Sequence, residues 1–129
     1  MARQNVSTGG PWEAKIGYSR AVRVGAHVQV SGSTAMTPSG LVGKGDAYAQ
    51  TIQTLKTIEA ALQQAGVSLA DVVRTRIYMA NIDQWQEVGR AHGEVFGNIR
   101  PATTMVEVKR LIDPDMLVEI EADAIAPHS

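Results

Sequence analysis

Hydrophobic and polar positions follow two distinct periods along the chain, and the change of period marks where strands give way to helices. From Ser19 to Ser31 the sequence reads SRAVRVGAHVQVS, with Val22 and Val24 flanking Arg23, Val28 and Val30 flanking Gln29, and Gly25-Ala26 between them. Two period-two runs around a glycine-containing dipeptide predict a β-hairpin. The segment from Gly32 to Gly45 holds several glycines and Pro38, and predicts a loop with a short edge strand around Leu41. The period then lengthens. Tyr48, Ile52, Leu55, Ile58, Leu62 and Ala65 recur at three- and four-residue steps, one continuous apolar stripe of a helix over Ala47–Ala65. Asp46 is its N-cap and Gly66 its C′ residue. After a turn around Ser68–Asp71, the β-branched alternating run Val72–Ala80 predicts a strand. A second helix at about Gln84–Phe96, capped by Asn81 or Asp83, aligns Trp85, Val88, His92 and Val95 or Phe96 on one face, and Gly97 closes it. Strands at Ala102–Val108 and Leu117–Ile125, joined by a loop containing Pro114, complete the chain. Residues 1–16 mix Gly, Pro, Ser and Thr and predict an irregular arm.

The order is β-β-α-β-α-β-β in a single domain spanning 1–129. Two helices with one apolar stripe each cover one face of such a sheet, which is an α+β sandwich. The other face must meet solvent or another subunit. In the last strand Val118, Ile120, Ala122 and Ala124 form the core side, and Leu117, Glu119, Glu121, Asp123 and Ile125 the opposite one. The three carboxylates stand about 7 Å apart at strand rise. Arg74 and Arg76 share a face of the strand Val72–Ala80, and pair with the carboxylates if the two strands are neighbours. That face is either solvated or a subunit interface whose charges set register and line a cleft.

Composition narrows the function. Hydrophobic residues at 44% and charged residues at 19% support a core without staples. Zero cysteines remove disulfides, thiolate zinc sites and cysteine nucleophiles, and suit a reducing cytoplasm. Twelve Lys and Arg against 13 Asp and Glu give a net charge of −1, without the basic excess of a nucleic-acid binder. The six aromatic residues (Trp 2, Tyr 3, Phe 1) are too dispersed for a base-stacking platform. No apolar run approaches the ~20 residues of a membrane span. The N-terminus lacks a signal peptide's apolar stretch, so the expectation is a soluble, cytoplasmic protein with no membrane partner.

Known chemical motifs are mostly missing. His27, His92 and His128 lie far apart and form no H-x-x-x-H or H-E-x-x-H pattern. There is no G-x-S-x-G elbow, and Gly43-Lys44-Gly45 lacks the rest of a phosphate loop. Neither metal nor cofactor is expected. Polar residues do gather at strand ends: Tyr18, Ser19 and Arg20 before the hairpin, Ser31-Gly32-Ser33-Thr34 after it, and Thr103-Thr104 in the next-to-last strand. Turn chemistry accounts for many such Ser and Thr residues. Glu121 differs, because a mid-strand carboxylate needs water, a partner or a chemical task.

Several short blocks occur in a specific order: Ile16-Gly17-Tyr18, Val30-Ser31-Gly32, the helix ending in Ala65-Gly66, RPATTMVEV from Arg100, and EIEADAI from Glu119. Together, over roughly residues 16–125, they resemble the YjgF/RidA family. The resemblance implies a chorismate-mutase-like α+β sandwich with a mixed sheet, assembled as a homotrimer with ligand clefts between subunits. It implies binding of a small-molecule metabolite and hydrolysis of enamine/imine intermediates to a keto acid and ammonia. Tyr18 matches the family's cleft tyrosine, Gly32 the glycine bordering the ligand with Ser33 beside it, and Glu121 the glutamate that positions water. Met105 stands where the family has a cleft cysteine, and His92 where it has an aromatic residue on the second helix. His92 is either an acid/base group or a satisfied interfacial histidine. The family's carboxylate-binding arginine, second after the proline, is Thr103 here. Its hydroxyl offers one neutral hydrogen bond in place of a bidentate guanidinium, and Arg20 is the candidate for a relocated anion anchor. Two functions follow, a hydrolytic deaminase using Glu121 and Thr103 or a non-catalytic metabolite-binding trimer. The charge balance disfavours a third, endoribonuclease activity.

Overall fold

The structure is a computed structural model that describes residues 2–127, so His128 lies outside the described residues. A six-stranded mixed sheet carries two long helices on one face, as the periodicity predicts. Its strands are β1 (Arg3–Val6), β2 (Ala21–Val24), β3 (His27–Ser33), β6 (Val72–Met79), β7 (Ala102–Glu107) and β8 (Val118–Ile125), ordered β1-β2-β3-β8-β6-β7. Neighbours are antiparallel except β6 and β7, which run parallel with the connecting helix α3 (Trp85–Phe96) between them in sequence. The C-terminal strand β8 thus lies inside the sheet, bonded to β3 on one side and β6 on the other.

The arm is more ordered than its composition suggests. Arg3–Val6 pairs with β2 as an edge strand, and Pro11–Ile16 forms a one-and-a-half-turn helix, α1. Pro11 supplies the preset φ of a first helical residue, and Gly17 at φ 90° ends the helix in the left-handed region. The strand expected around Leu41 also has a different partner. Met36–Thr37 (β4) and Gly40–Leu41 (β5) make a separate two-stranded ribbon.

Helix α2 (Ala47–Gln64) begins at Asp46, whose carboxylate accepts the Ala49 N–H at 3.0 Å. Its buried stripe is rotated from the expected one. Gln50, Thr51, Thr54, Leu55, Ile58, Ala61 and Leu62 are buried, while Tyr48 and Ile52 sit at the half-exposed margin. Thr51 and Thr54 remain inside because their hydroxyls donate to Ala47 O and Gln50 O, at 2.8 and 2.7 Å. The Gln50 side chain instead leaves the helix, donating to Gly43 O (3.2 Å) and Asp115 O (2.9 Å) and accepting from Leu117 N–H (2.9 Å). A 3-10 turn at Ile82–Gln84, capped by Asn81, precedes α3. Trp85, the first residue of α3, is 52% exposed rather than inward, and the helix packs through Val88, Ala91 and Phe96. The core lies between these helices and Val28, Val30, Ile77, Met79, Val118, Ile120, Ala122 and Ala124.

Candidate functional site

The helix-free face of the sheet carries the charges in the expected parity. Cα partners across β6 and β8 are Arg74–Asp123, Arg76–Glu121 and Tyr78–Glu119. Arg76 reaches diagonally to Asp123 at 3.1 Å and lies 3.6 Å from Glu121. The Tyr78 hydroxyl donates to Glu121 at 2.7 Å, a bond that, with burial, holds the phenol above its ordinary pKa. Glu121 is therefore held by two partners. Arg74 makes no ion pair among the described residues.

A bulge shapes the neighbouring end of this face. Val30 pairs with Ala122, but the next registered pair is Ser33–Ile120, so β3 carries one extra residue there. The extra residue turns Ser33 inward. Expected at the binding surface, it is 1% exposed and its hydroxyl donates to Ser31 O at 2.9 Å, so the bulge removes it from the surface. Gly32 meanwhile faces Glu119 so closely that a Cβ there would overlap the Glu119 carboxylate. Arg20 secures the bulge by donating from Nη2 to Gly32 O at 2.6 Å. Its guanidinium lies 5.7 Å from the Tyr18 ring centroid, and its Nε is buried without an acceptor. No donor among the described residues bonds the Glu119 carboxylate. Burial holds its pKa above the ordinary range, with the Arg20 charge opposing the rise and Glu121 adding to it.

Between α1 and the same face lies an open cavity of about 570 Å³, whose lining includes Tyr18, Ser31, Gln29, Asn5 and Glu121. The structure thus brings Tyr18 and Glu121 to one hollow. Glu13 of α1 forms its roof by accepting from the Ser7 hydroxyl (2.9 Å) and the Thr8 hydroxyl (2.6 Å), which ties β1 to α1. The Thr8 bond is the main cause of a depressed Glu13 pKa.

The remaining candidates sit on the opposite side of the sheet. Thr103 pairs with Thr75, whose partner Ala122 is core-facing, so Thr103 projects toward the helices. Its hydroxyl lies 2.8 Å from Thr75 Oγ1, which lies 2.9 Å from His92 Nε2. Burial pulls the His92 imidazole below its ordinary pKa, which favours its neutral form. Met105, two residues along from Thr103, is half-buried and packs against the core.

One chain therefore separates the candidates into two groups: Tyr18, Arg20, Gly32 and Glu121 on the open face, Thr103, His92 and Met105 on the helix side. From the sequence Glu119 stands only as one of the acidic row, and Thr75 and Tyr78 are not marked at all. Glu119 shares its parity with Glu121 and was readable as a candidate. Nothing local marks Thr75, which matters only through register. Among the described residues no cluster of three or more His, Cys, Asp or Glu is arranged to hold a metal. No helix is long and apolar enough to cross a membrane among the described residues.

Comparison with known proteins fits this architecture. The family model described as Endoribonuclease L-PSP matches residues 11–126. An uncharacterized protein of Streptomyces coelicolor is 40% identical over 123 residues, covering 95% of this chain and 92% of the relative. A RutC family protein of Pyrococcus abyssi is 38% identical over 108 residues, covering 83% of this chain and 84% of the relative. A Mycobacterium tuberculosis crystal structure, described as a member of the YjgF/YER057c/UK114 family, matches with a TM-score of 0.88 and 54% identity. That match covers 97% of this chain and 100% of the other. The Escherichia coli YjgF gene product matches with a TM-score of 0.78 and 27% identity, covering 94% and 92% of the two chains.

Proposed function

The chain belongs to the Endoribonuclease L-PSP family, the YjgF/RidA family, and on that premise we propose that it binds a small polar metabolite in a cleft between copies and hydrolyses an enamine or imine there. The observation that carries this reading is the division of the candidates between the two sides of the sheet. Thr103 and His92 face one way and Tyr18, Gly32 and Glu121 the other. A site using both groups needs the β7 edge of one copy set against the open face of the next, as a closed trimer provides.

In such a cleft the two carboxylates differ in character. Glu121, anchored by Tyr78 and Arg76 beside Tyr18, orients water. Glu119, with its raised pKa, exchanges protons near neutrality more readily than an ordinary carboxylate. Water adds to the C=N carbon while a carboxylate takes one of its protons and returns it to the nitrogen. The hydroxyl of the resulting carbinolamine gives its proton to the nitrogen by the same route as the C–N bond breaks, releasing ammonia and the carbonyl product. Arg20 supplies positive charge beside Gly32. The alternative, a metabolite-binding trimer without chemistry, is favoured by one observation: Thr103 presents a neutral hydroxyl already bonded to Thr75.

The deciding experiment measures loss of a 2-aminoacrylate-type imine with purified protein, alongside Thr103→Arg, Glu119→Gln and Glu121→Ala variants, and the mass in solution. Deaminase function predicts wild-type acceleration, a fall in at least one carboxylate variant, and a particle of three times the chain mass. An inert wild type with activity gained only in Thr103→Arg supports the binding reading. A monomer in solution refutes the shared cleft.

A further inference from the structure

On the helix side of the sheet three side chains form an unbroken hydrogen-bonded line. His92 Nε2 lies 2.9 Å from Thr75 Oγ1, which lies 2.8 Å from Thr103 Oγ1. Thr75 is 0% exposed, whereas Thr103 is exposed on the edge strand β7. The line therefore runs from a partly buried imidazole, through a closed position, to an outward hydroxyl. Parallel register places Thr103 beside Thr75. Packing of the His92 ring against Phe96, with centroids 4.7 Å apart, holds the imidazole over them.

Each hydroxyl has a single proton to donate, so the line has two consistent orientations. In one, the imidazole N–H donates to Thr75, Thr75 to Thr103, and Thr103 to Pro101 O at 3.2 Å. In the other, Thr103 donates to Thr75, and Thr75 donates to an unprotonated Nε2. The second places a base at the inner end and a hydroxyl oxygen with free lone pairs at the outer end.

We propose that Thr103 is a nucleophile activated by His92 through Thr75, and that it accepts an acyl group from an activated ester reaching the β7 edge. As Thr103 Oγ1 bonds to the acyl carbon, its proton passes to Thr75 Oγ1 and the Thr75 proton passes to His92 Nε2. The bond from the acyl carbon to the leaving oxygen breaks, and its electron pair departs on that oxygen. Burial favours the unprotonated imidazole at rest, the form that can accept a proton. Backbone donors stand nearby as well. Val108 N–H bonds Met79 O at 2.8 Å, so strand alternation turns the N–H groups of Thr103 and Met105 toward the free edge, where no neighbouring strand takes them up. Thr75 and His92 are positioning and proton-accepting residues that act through Thr103. All three lie in one chain, so the relay depends on neither imine chemistry nor a neighbouring copy.

The test is incubation with p-nitrophenyl acetate, following nitrophenolate release and mapping the acetyl group by peptide mass. The expected result is acetylation of Thr103, with release slowed about a hundredfold in Thr103→Val, Thr75→Val and His92→Gln. Thr75→Ser restores most of the rate because it keeps the bridging hydroxyl, which a purely structural role of Thr75 does not predict. Acetyl groups on lysines or on His92 with none on Thr103 overturn the proposal, as does acetylation of Thr103 at the wild-type rate in Thr75→Val. If Thr75→Val fails to fold, Thr103→Val, at an exposed position, decides between the outcomes: unchanged nitrophenolate release there overturns the proposal. Loss of imine hydrolysis with Thr103 acetylation intact counts only against the deaminase reading, and the reverse only against this one.

Discussion

Replacing Gln50 with methionine keeps the volume of a side chain that is 0% exposed and removes three hydrogen bonds to two loops. The Leu117 N–H then loses its acceptor at the entrance to β8, a loss of about 2 kcal/mol for a buried donor. The carbonyls of Gly43 and Asp115 lie nearer the surface, where water replaces part of each bond, so together they add roughly 2 kcal/mol. Methionine recovers about 1 kcal/mol by burying apolar rather than amide surface. The net expectation is a loss of about 3 kcal/mol, or roughly 10–15 °C in Tm for a domain of this size. Thermal and urea denaturation at one fixed protein concentration measure it, since association also shifts Tm. Hydrogen exchange should show the Leu117 amide losing protection before the α2 amides do. A methionine variant within about 1 kcal/mol of wild type would refute the reasoning, since the loop groups would then be satisfied equally well without Gln50. The consequence reaches the candidate site, because the clamped segment leads directly into the strand that carries Glu119 and Glu121.

Two further predictions bear on the open face. In Gly32→Ala the new methyl group displaces the Glu119 carboxylate toward solvent, because the atom it meets is the free end of a flexible side chain. The Glu119 titration followed by carbon NMR should fall toward the ordinary carboxylate range, and an unchanged titration would show that burial beside Gly32 is not what raises it. Glu13 titrates in the opposite sense. Its folded pKa lies below the ordinary 4.5, so the stability it contributes is present above that value and is lost as pH falls through the folded pKa. Protection factors over residues 3–16, taken against the intrinsic exchange rate at each pH, should therefore fall in acid for the wild type. Glu13→Gln should show lower protection factors already at neutral pH, and these should change little on acidification. Equal protection in the two proteins at pH 7 would mean that Glu13 does not tie the arm to α1.

By itself the sequence determined most of what depends on local period and parity, although the buried face of α2 and the outward Trp85 depart from the apolar stripe. The hairpin, the Asp46 cap, both long helices and the division of β8 into an apolar and an acidic side are readable because side-chain direction repeats every two residues in a strand and follows the turn in a helix. The order of short blocks was enough to identify the family. Local composition misled in the arm, where a proline and a left-handed glycine bound a short helix and four residues complete a sheet edge. Tertiary structure alone decided the rest. Strand order set β8 between β3 and β6, which turned the acidic row and Arg76 into a network. One extra residue in β3 buried Ser33 and opened the space beside Gly32 for Glu119. Parallel pairing of β6 with β7 joined Thr103, Thr75 and His92 across the helix side. These outcomes come from pairings between residues far apart in the chain, and no local period records which partner a strand will find or where a bulge will change its register.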